Sequence, residues 1–142
     1  MKKIIIGSDH AGFRLKNIII NHLTQKYDVE DAGTYSQESC DYPLIAKKVA
    51  NKVADGTYTQ GILICGTGIG MSIAANKIKG IRAAVVSDTC SAKMSRLHNN
   101  ANILCFGERI VGEELAKDIT DIWLSTEFLG ERHAKRVDMI ED

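Results

Sequence analysis

The chain has 142 residues, 44% of them apolar and 25% charged, and its 18 basic residues balance its 18 acidic ones. These values are ordinary for a globular protein and predict one compact domain over residues 1–142. The zero net charge argues against nucleic acid as a partner, and no apolar run approaches the roughly 18 residues that cross a bilayer.

The N-terminal residues 1–6 begin like a signal peptide, but the run 7–10 ends the apolar stretch too early for one. The cysteines are widely spaced and form no C-x-x-C pair, which weakens zinc-ribbon and redox interpretations. They are Cys40, Cys65, Cys90 and Cys105. We therefore expect a cytoplasmic protein with free thiols and no membrane segment.

Short apolar runs alternate with amphipathic stretches along the whole chain. The runs predicted as strands are 3–7, 27–32, 61–65, 82–86 and 103–106. The stretches predicted as helices are 12–26, 42–54, 68–78, 89–97, 111–125 and the tail 131–142. This repeated β-α pattern predicts an α/β fold, in which a parallel sheet is covered by helices on both faces.

Polar residues follow four of the predicted strands directly. In open α/β sheets, ligands bind at the carboxyl ends of the strands, so these positions predict the functional site. The segments concerned are Ser8-Asp9-His10, Cys65-Gly66-Thr67-Gly68-Ile69-Gly70, Ser87-Asp88 and Gly107-Glu108-Arg109.

Cys65 ends a buried strand and is followed by a glycine-rich turn and a helix. Glycines let the backbone approach a ligand, and their N–H groups can hold negative charge. A thiol there has its thiolate form favoured and stands beside a site for an oxyanion. The alternative is a buried cysteine ahead of an ordinary glycine turn.

Two stock phosphate-binding motifs fit this turn poorly, because Met71 stands where a Walker loop needs lysine and where a dinucleotide fingerprint needs its third glycine. Asp88, about 20 residues on, still suits the second motif. A nucleotide-binding or regulatory module therefore remains the rival from another class.

Three further sets of residues are candidates for substrate binding or acid–base catalysis, and each also has a purely structural interpretation. Asp9 and His10 could bind a sugar hydroxyl and a phosphate, or Asp9 could merely cap a helix. His98 is the second acid–base candidate, or a histidine that satisfies helix carbonyls. Arg132 and Arg136 could join Arg109 in a phosphate clamp, or form a solvated tail. Together they suit proton transfer beside the carbonyl of a phosphorylated substrate, without a visible metal cluster.

These motifs cover nearly the whole chain, and they resemble the ribose-5-phosphate isomerase B type of the ribose/galactose isomerase family. The segments that carry the resemblance are Gly7-Ser8-Asp9-His10-Ala11-Gly12, Asp41-Tyr42-Pro43, the run 61–70, the run 72–77, Ser95-Arg96-Leu97-His98-Asn99, Gly107-Glu108-Arg109 and the run 130–137. One departure is Glu131, where the family often has a second glycine.

The resemblance implies a Rossmann-like α/β/α sandwich with a five-stranded parallel sheet, and a homodimer with shared active sites, the tetramer being left open. It implies interconversion of ribose 5-phosphate and ribulose 5-phosphate with no metal or cofactor. Isomerisation of a six-carbon sugar phosphate, allose or galactose 6-phosphate, is the alternative.

The resemblance also implies roles for individual residues. Cys65 is the base that moves a proton between C2 and C1, supported by Thr67, and His98 opens the sugar ring with Asp9 nearby. The remaining positions bind substrate: the enediolate lies on backbone amides of Gly66, Gly68 and Gly70, the sugar on Asp41, Tyr42 and Asn99, and the phosphate on His10, Arg109, Arg132 and Arg136. His98, Asn99 and Arg109 are expected to come from the partner subunit.

Overall fold

The computed structural model describes all residues from 1 to 142 and contains one sheet of five parallel strands. The strands are β1 Lys3–Ser8, β2 Asp28–Asp31, β3 Gln60–Cys65, β4 Ala83–Val85 and β5 Ile103–Gly107. Their order across the sheet is β2-β1-β3-β5-β4. The predicted sheet is confirmed, with β3 at its centre and β2 and β4 at its edges.

Six helices connect and flank the strands. They are α1 Phe13–Leu23, α2 Tyr42–Ala54, α3 Ile69–Ala75, α4 Thr89–Leu97, α5 Glu113–Ser125 and α6 Arg132–Glu141. None of them combines the length and the apolar character that crossing a bilayer requires.

Alternation along the strands divides the core into two layers, because successive side chains point to opposite faces of a sheet. Ile4 and Ile6 of β1 pack in one cluster with residues of α1, α4 and α5, including the fully buried Trp123. Ile5 of the same strand packs in the other cluster, with residues of α2 and α3. The predicted α/β/α sandwich is therefore confirmed, and Cys65 belongs to the α2–α3 face.

Several helix ends differ from the prediction by one to three residues, and two of these differences have identifiable reasons. α1 begins at Phe13, after a short 3-10 turn over His10–Gly12 that the Asp9 carboxylate caps. α3 ends at Ala75 instead of residue 78, because the Asn76 side chain bonds both backbone groups of Ala83 at 2.8 and 3.0 Å. These bonds draw the chain out of the helix and along the edge strand β4.

The tail helix α6 lies near the amino ends of the strands. The Leu129 amide, just before it, donates to the Leu97 carbonyl at the end of α4 (3.1 Å). At its other end, Glu141 pairs with Arg82, which precedes β4, at 2.7 Å. α6 is therefore fixed at both ends beside the start of β4.

Candidate active site

The centre of the candidate site is the loop that joins β3 to α3. Cys65 is 6% exposed at the end of β3, and its Sγ accepts a hydrogen bond from the Gly68 amide at 3.1 Å. The Thr67 Oγ1 accepts from the Ile69 amide at 3.2 Å. The Gly68 N–H therefore points at the Cys65 sulfur from within the loop.

Five backbone amides line this loop, and two of them are already engaged by Cys65 and Thr67. The amides of Gly66, Thr67 and Gly70 make no hydrogen bond within the chain. These three N–H groups are therefore available to an oxyanion beside the sulfur. The sequence-based hypothesis had also assigned the Gly68 amide to the enediolate, but in the structure this amide serves the sulfur.

The loop after β3 is pressed against the loop after β5, which explains its glycines. Gly68 has φ +83°, and a Cβ there would lie 2.8 Å from the backbone of Phe106. A Cβ on Gly107 would lie 2.4 Å from the Thr67 Cα. Because there is no room for side chains at these points, the backbone of the Cys65 loop is held against β5.

Arg109 and Tyr42 lie against the same loop. The Arg109 amide donates to the Gly66 carbonyl at 3.0 Å, and its Nη1 would lie 3.4 Å from a Cβ placed on Gly66. A Cβ on Gly70 would lie 2.6 Å from the Tyr42 ring, which stands at the start of α2 next to the exposed Asp41. Arg109 thus reaches the loop of its own chain, whereas the resemblance had suggested the partner's.

The Asp9-His10 pair lies beside the end of β3, since the Asp9 amide donates to the Ile64 carbonyl at 3.3 Å. Asp9 Oδ1 accepts from the amides of Ala11 and Gly12 at 3.0 and 3.2 Å, so the capping alternative is found in the structure. His10 Nδ1 accepts from the Cys40 amide at 3.2 Å. This bond assigns the ring proton to Nε2, which leaves an N–H donor suited to a phosphate oxygen.

Sequence reasoning missed Lys16, which is fully buried on α1. Its Nζ donates to Asp31 Oδ1 at 2.6 Å and to the Thr34 carbonyl at 2.7 Å, at the start of the long loop that leads to Cys40. The rings of Phe13 and Tyr35 lie 5.4 and 5.5 Å from it. The available signal was a lysine between Leu15 and Ile19 on the apolar face of the helix.

The other predicted residues lie at the opposite ends of the strands, along the side of the sheet where the strands begin (the amino edge). His98 and Asn99 follow α4, which runs from the carboxyl ends of the strands back to their amino ends. Cys65 pairs in register with Gly107, the last residue of β5, and Asn102 precedes the first. The four steps from Ile103 to Gly107, at about 3.3 Å each, amount to about 13 Å.

The predicted site therefore divides into two groups within one chain. The carboxyl-edge group consists of Asp9, His10, Asp41, Tyr42, Cys65 with its loop, and Arg109. The amino-edge group consists of His98, Asn99, Arg132 and Arg136. The three arginines expected to form one clamp are thus separated, with Arg109 on one edge and the two α6 arginines on the other.

The amino-edge group is organised by Arg96, another residue that sequence reasoning left without a role. Its buried guanidinium donates to the carbonyls of Thr126 and Ala101 at 3.1 and 2.7 Å, and to Asn100 Oδ1 at 2.9 Å. Asn100 has φ +47°, the left-handed conformation that ends a helix. These bonds fix the turn that carries His98 and Asn99.

Two titratable groups next to the site have shifted pKa values. Burial lowers the pKa of His133 below its usual value, and His98, Arg132 and Arg136 lower it further against the opposing effect of Glu131. Burial raises the pKa of the Cys105 thiol far above its usual range, and proximity to Cys65 adds to this. Of these two neighbouring thiols, Cys105 thus stays protonated.

The surface has two depressions. The larger, of about 560 Å³, lies at the amino edge and is lined by Asn99, Arg82, Glu141 and nine other residues. The smaller, of about 290 Å³, lies beside Thr67 and is lined mostly by apolar side chains. No group of three or more His, Cys, Asp or Glu residues is placed to hold a metal ion.

The fold and the cysteine loop define a single class of protein, an α/β sandwich with a thiol and free backbone amides at the carboxyl ends of its strands. The Ribose/Galactose Isomerase family model matches residues 4–140. The chain belongs to this family, and its predicted assignment to an enzyme of the ribose-5-phosphate isomerase B type is confirmed.

Individual relatives agree over nearly the full length. Ribose-5-phosphate isomerase B of Escherichia coli K12 is 55% identical over 141 residues, which cover 99% of this chain and 95% of that protein. The structure of Clostridium thermocellum ribose-5-phosphate isomerase B is 56% identical with a TM-score of 0.97, covering 98% and 95% of the two chains. D-erythrulose-4-phosphate isomerase of Pectobacterium atrosepticum is 44% identical, covering 99% and 93%.

Proposed function

We propose that this protein interconverts ribose 5-phosphate and ribulose 5-phosphate through a cis-enediolate, with Cys65 as the base. The observation that carries the proposal is the hydrogen bond from the Gly68 amide to Cys65 Sγ beside three free amides. An aldose–ketose isomerase must remove a carbon-bound proton and stabilise the oxyanion that results. The full-length match to ribose-5-phosphate isomerase B of Escherichia coli supports this substrate.

In the proposed reaction, the Cys65 thiolate removes the proton from C2 of the open-chain aldose. The electron pair moves into the C1–C2 bond, and the charge on the enediolate oxygens is held by the amides of Gly66, Thr67 and Gly70. The same thiol then returns the proton to C1, while the hydroxyl proton of O2 passes to O1 and C2 becomes the carbonyl carbon. The charge is thus stabilised by dipoles that are already oriented before the reaction.

The proposed substrate is anchored by its phosphate, away from the reacting carbons. His10 offers its Nε2–H, because its Nδ1 is occupied by the Cys40 amide. Arg109 stands on the Cys65 loop and offers a charged, bidentate donor. Tyr42, whose ring lies against Gly70 of the loop, and its neighbour Asp41 at the start of α2 would bind the sugar.

The proposed active unit is a homodimer, since one chain holds the two groups at opposite edges of its sheet. Isologous pairing about a two-fold axis would bring the amino-edge group of each chain to the Cys65 loop of the other. Exposed apolar side chains around the loop support such a contact. They are Ile69, Ile73, Val85 and Ile110, each at least 43% exposed.

In the shared site, the partner's copy of the amino-edge group supplies ring opening and the rest of the phosphate clamp. His98 acts as the acid–base group on the furanose oxygen, Asn99 bonds sugar hydroxyls, and Arg132 and Arg136 bind phosphate. Neither arginine has a carboxylate partner within its own chain, so both are free for an anionic ligand.

A coupled assay on purified protein tests the substrate. Ribose 5-phosphate, allose 6-phosphate, galactose 6-phosphate and erythrose 4-phosphate are compared by kcat/KM, with and without a chelator. We expect the pentose phosphate to be preferred and the chelator to have no effect. Preference for a six- or four-carbon substrate would overturn the proposed substrate, and loss of activity in chelator, restored by a divalent ion, would overturn the metal-free reaction.

A further inference from the structure

His98 of the amino-edge group makes a contact for which the proposed reaction has no role, a stack with a second histidine, His133. The rings of His98 and His133 lie with their centroids 4.3 Å apart and their planes 12° from parallel. His133 is only 6% exposed, and its Nε2 is buried without a hydrogen-bond partner. The contact of His133 with His98 is therefore made through the face of its ring.

The backbone on both sides of the stack is held in place. Leu97, next to His98, accepts a hydrogen bond from Leu129 at 3.1 Å, and the His133 amide donates to the Gly130 carbonyl at 3.0 Å. Between these bonds the chain turns sharply through Gly130 and Glu131, whose φ values are +72° and +55°. The two rings are thus brought together by a fixed turn and not by two mobile side chains.

The charges around His133 favour its neutral form at neutral pH. Burial lowers its pKa, as do His98 on α4 and Arg132 and Arg136 on its own helix, while Glu131 acts in the opposite direction. A neutral ring can lie flat against His98 whether or not His98 carries a proton, whereas two imidazolium rings at this distance would repel each other. The stack therefore tolerates both protonation states of His98.

We propose that His133 is a positioning residue for His98, whose ring it holds in the orientation needed to open the furanose ring of the substrate. This inference rests on the proposed function, in which His98 is the ring-opening group. His98 lies at the end of a helix, and the only ring that contacts its face is that of His133. Loss of the stack would leave the His98 side chain free to rotate about its Cα–Cβ and Cβ–Cγ bonds.

The experiment separates ring opening from proton transfer. Turnover of ribose 5-phosphate needs both steps, whereas solvent deuterium exchange at C1 of ribulose 5-phosphate, an open-chain ketose, needs only proton transfer by Cys65. We expect His133→Leu to lower turnover about 10- to 100-fold, because small misplacements of a reacting group have effects of this size. Exchange should stay at the wild-type rate. His133→Phe, which restores a flat ring, should recover most of the turnover.

Two further variants keep the test decisive. In the His98→Ala background, His133→Leu should cause no additional loss, because a residue that acts through His98 has nothing left to orient. His22→Leu is the matched control, since His22 on α1 pairs with Asp121 on α5 and takes no part in the stack. Urea unfolding of each variant checks that it is folded.

Three outcomes would overturn the inference: wild-type turnover in His133→Leu, an equal loss of turnover and exchange, or full additivity with His98→Ala. Failure of the proposed function looks different. In that case the wild-type protein itself would not isomerise ribose 5-phosphate, or Cys65→Ser would exchange deuterium as fast as the wild type.

Discussion

Gly68 donates its backbone N–H to the sulfur of Cys65 at 3.1 Å, across a turn that only glycine can make. The sulfur accepts this bond while the amides of Gly66, Thr67 and Gly70 remain free. One short loop thus brings together the thiol proposed as the base and donors for the anion that this base would produce.

Cys65→Ser should lower turnover by about 10²–10⁴-fold, the usual effect of removing a general base, while substrate still binds. A serine hydroxyl keeps the shape of the side chain but does not ionise near neutral pH. Solvent deuterium exchange at the substrate carbon should be lost in parallel. Cys90→Ser, a change at an exposed thiol, is the matched control and should leave turnover unchanged. Wild-type exchange in Cys65→Ser would point instead to the carboxylates of Asp9 or Asp41.

Cys65→Ser and His98→Ala chains should each be nearly inactive on ribose 5-phosphate but should regain activity when mixed and allowed to exchange subunits. In a mixed dimer one of the two shared sites has Cys65 from one chain and His98 from the other. With random pairing, about a quarter of all sites are intact, as expected for isologous dimers. Activity is followed against mixing ratio, with light scattering to give the mass. No recovery despite confirmed subunit exchange would mean that the site lies within one chain.

Arg136→Ala should raise KM far more than it lowers kcat, since a phosphate clamp remote from the reacting carbons contributes mainly uniform binding. Loss of a charge-assisted hydrogen bond of about 1.5–3 kcal/mol corresponds to roughly a 10- to 150-fold increase. Lys135→Ala removes a neighbouring exposed charge and serves as control. An unchanged KM in Arg136→Ala would indicate that the tail arginines are simply solvated.

Lys16→Met should lower the free energy of unfolding by about 1–3 kcal/mol, because the Thr34 carbonyl and one Asp31 oxygen lose their buried donor. The methionine keeps most of the apolar stem. Urea unfolding measures the effect, and Lys48→Met is the control, because Lys48 bonds the Ala32 carbonyl of the same loop from an exposed position. Equal midpoints for Lys16→Met and the wild type would show that the ammonium group does not anchor this loop.

Stability should fall as the pH is lowered from about 7 to 5, and His133→Phe should reduce this fall. In the native state the pKa of His133 is lowered, so the unfolded chain, with an ordinary histidine pKa of about 6.5, binds the proton first. The unfolded state therefore gains protons on acidification, and the free energy of unfolding rises with pH up to about 6.5. Urea midpoints at pH 5.5 and 7.5 test this. An identical pH dependence in both proteins would contradict it.

The alternation of β-branched runs and amphipathic stretches predicted all five strands and all six helices, because these periodicities are local properties of the chain. The errors lie at helix ends, where side chains from elsewhere decide the boundary. Asn76 stops α3 by bonding Ala83, and Asp9 caps a 3-10 turn after which α1 begins at Phe13. Neither bond has a signature in the spacing of apolar residues.

The sequence by itself determined where the Cys65 loop lies, since an apolar strand followed at once by glycines places the thiol at the carboxyl end of a strand in a parallel sheet. Only the tertiary structure decided which residues share an edge with it. α4 carries His98 back to the amino ends of the strands, and α6 follows it there, while Arg109 stays beside the Cys65 loop. Local patterns specify the helices and strands, but the strand order β2-β1-β3-β5-β4 and the direction of each connection determine which residues become neighbours in space. The strand order and the connections depend in turn on how all the helices and strands bury their apolar faces together.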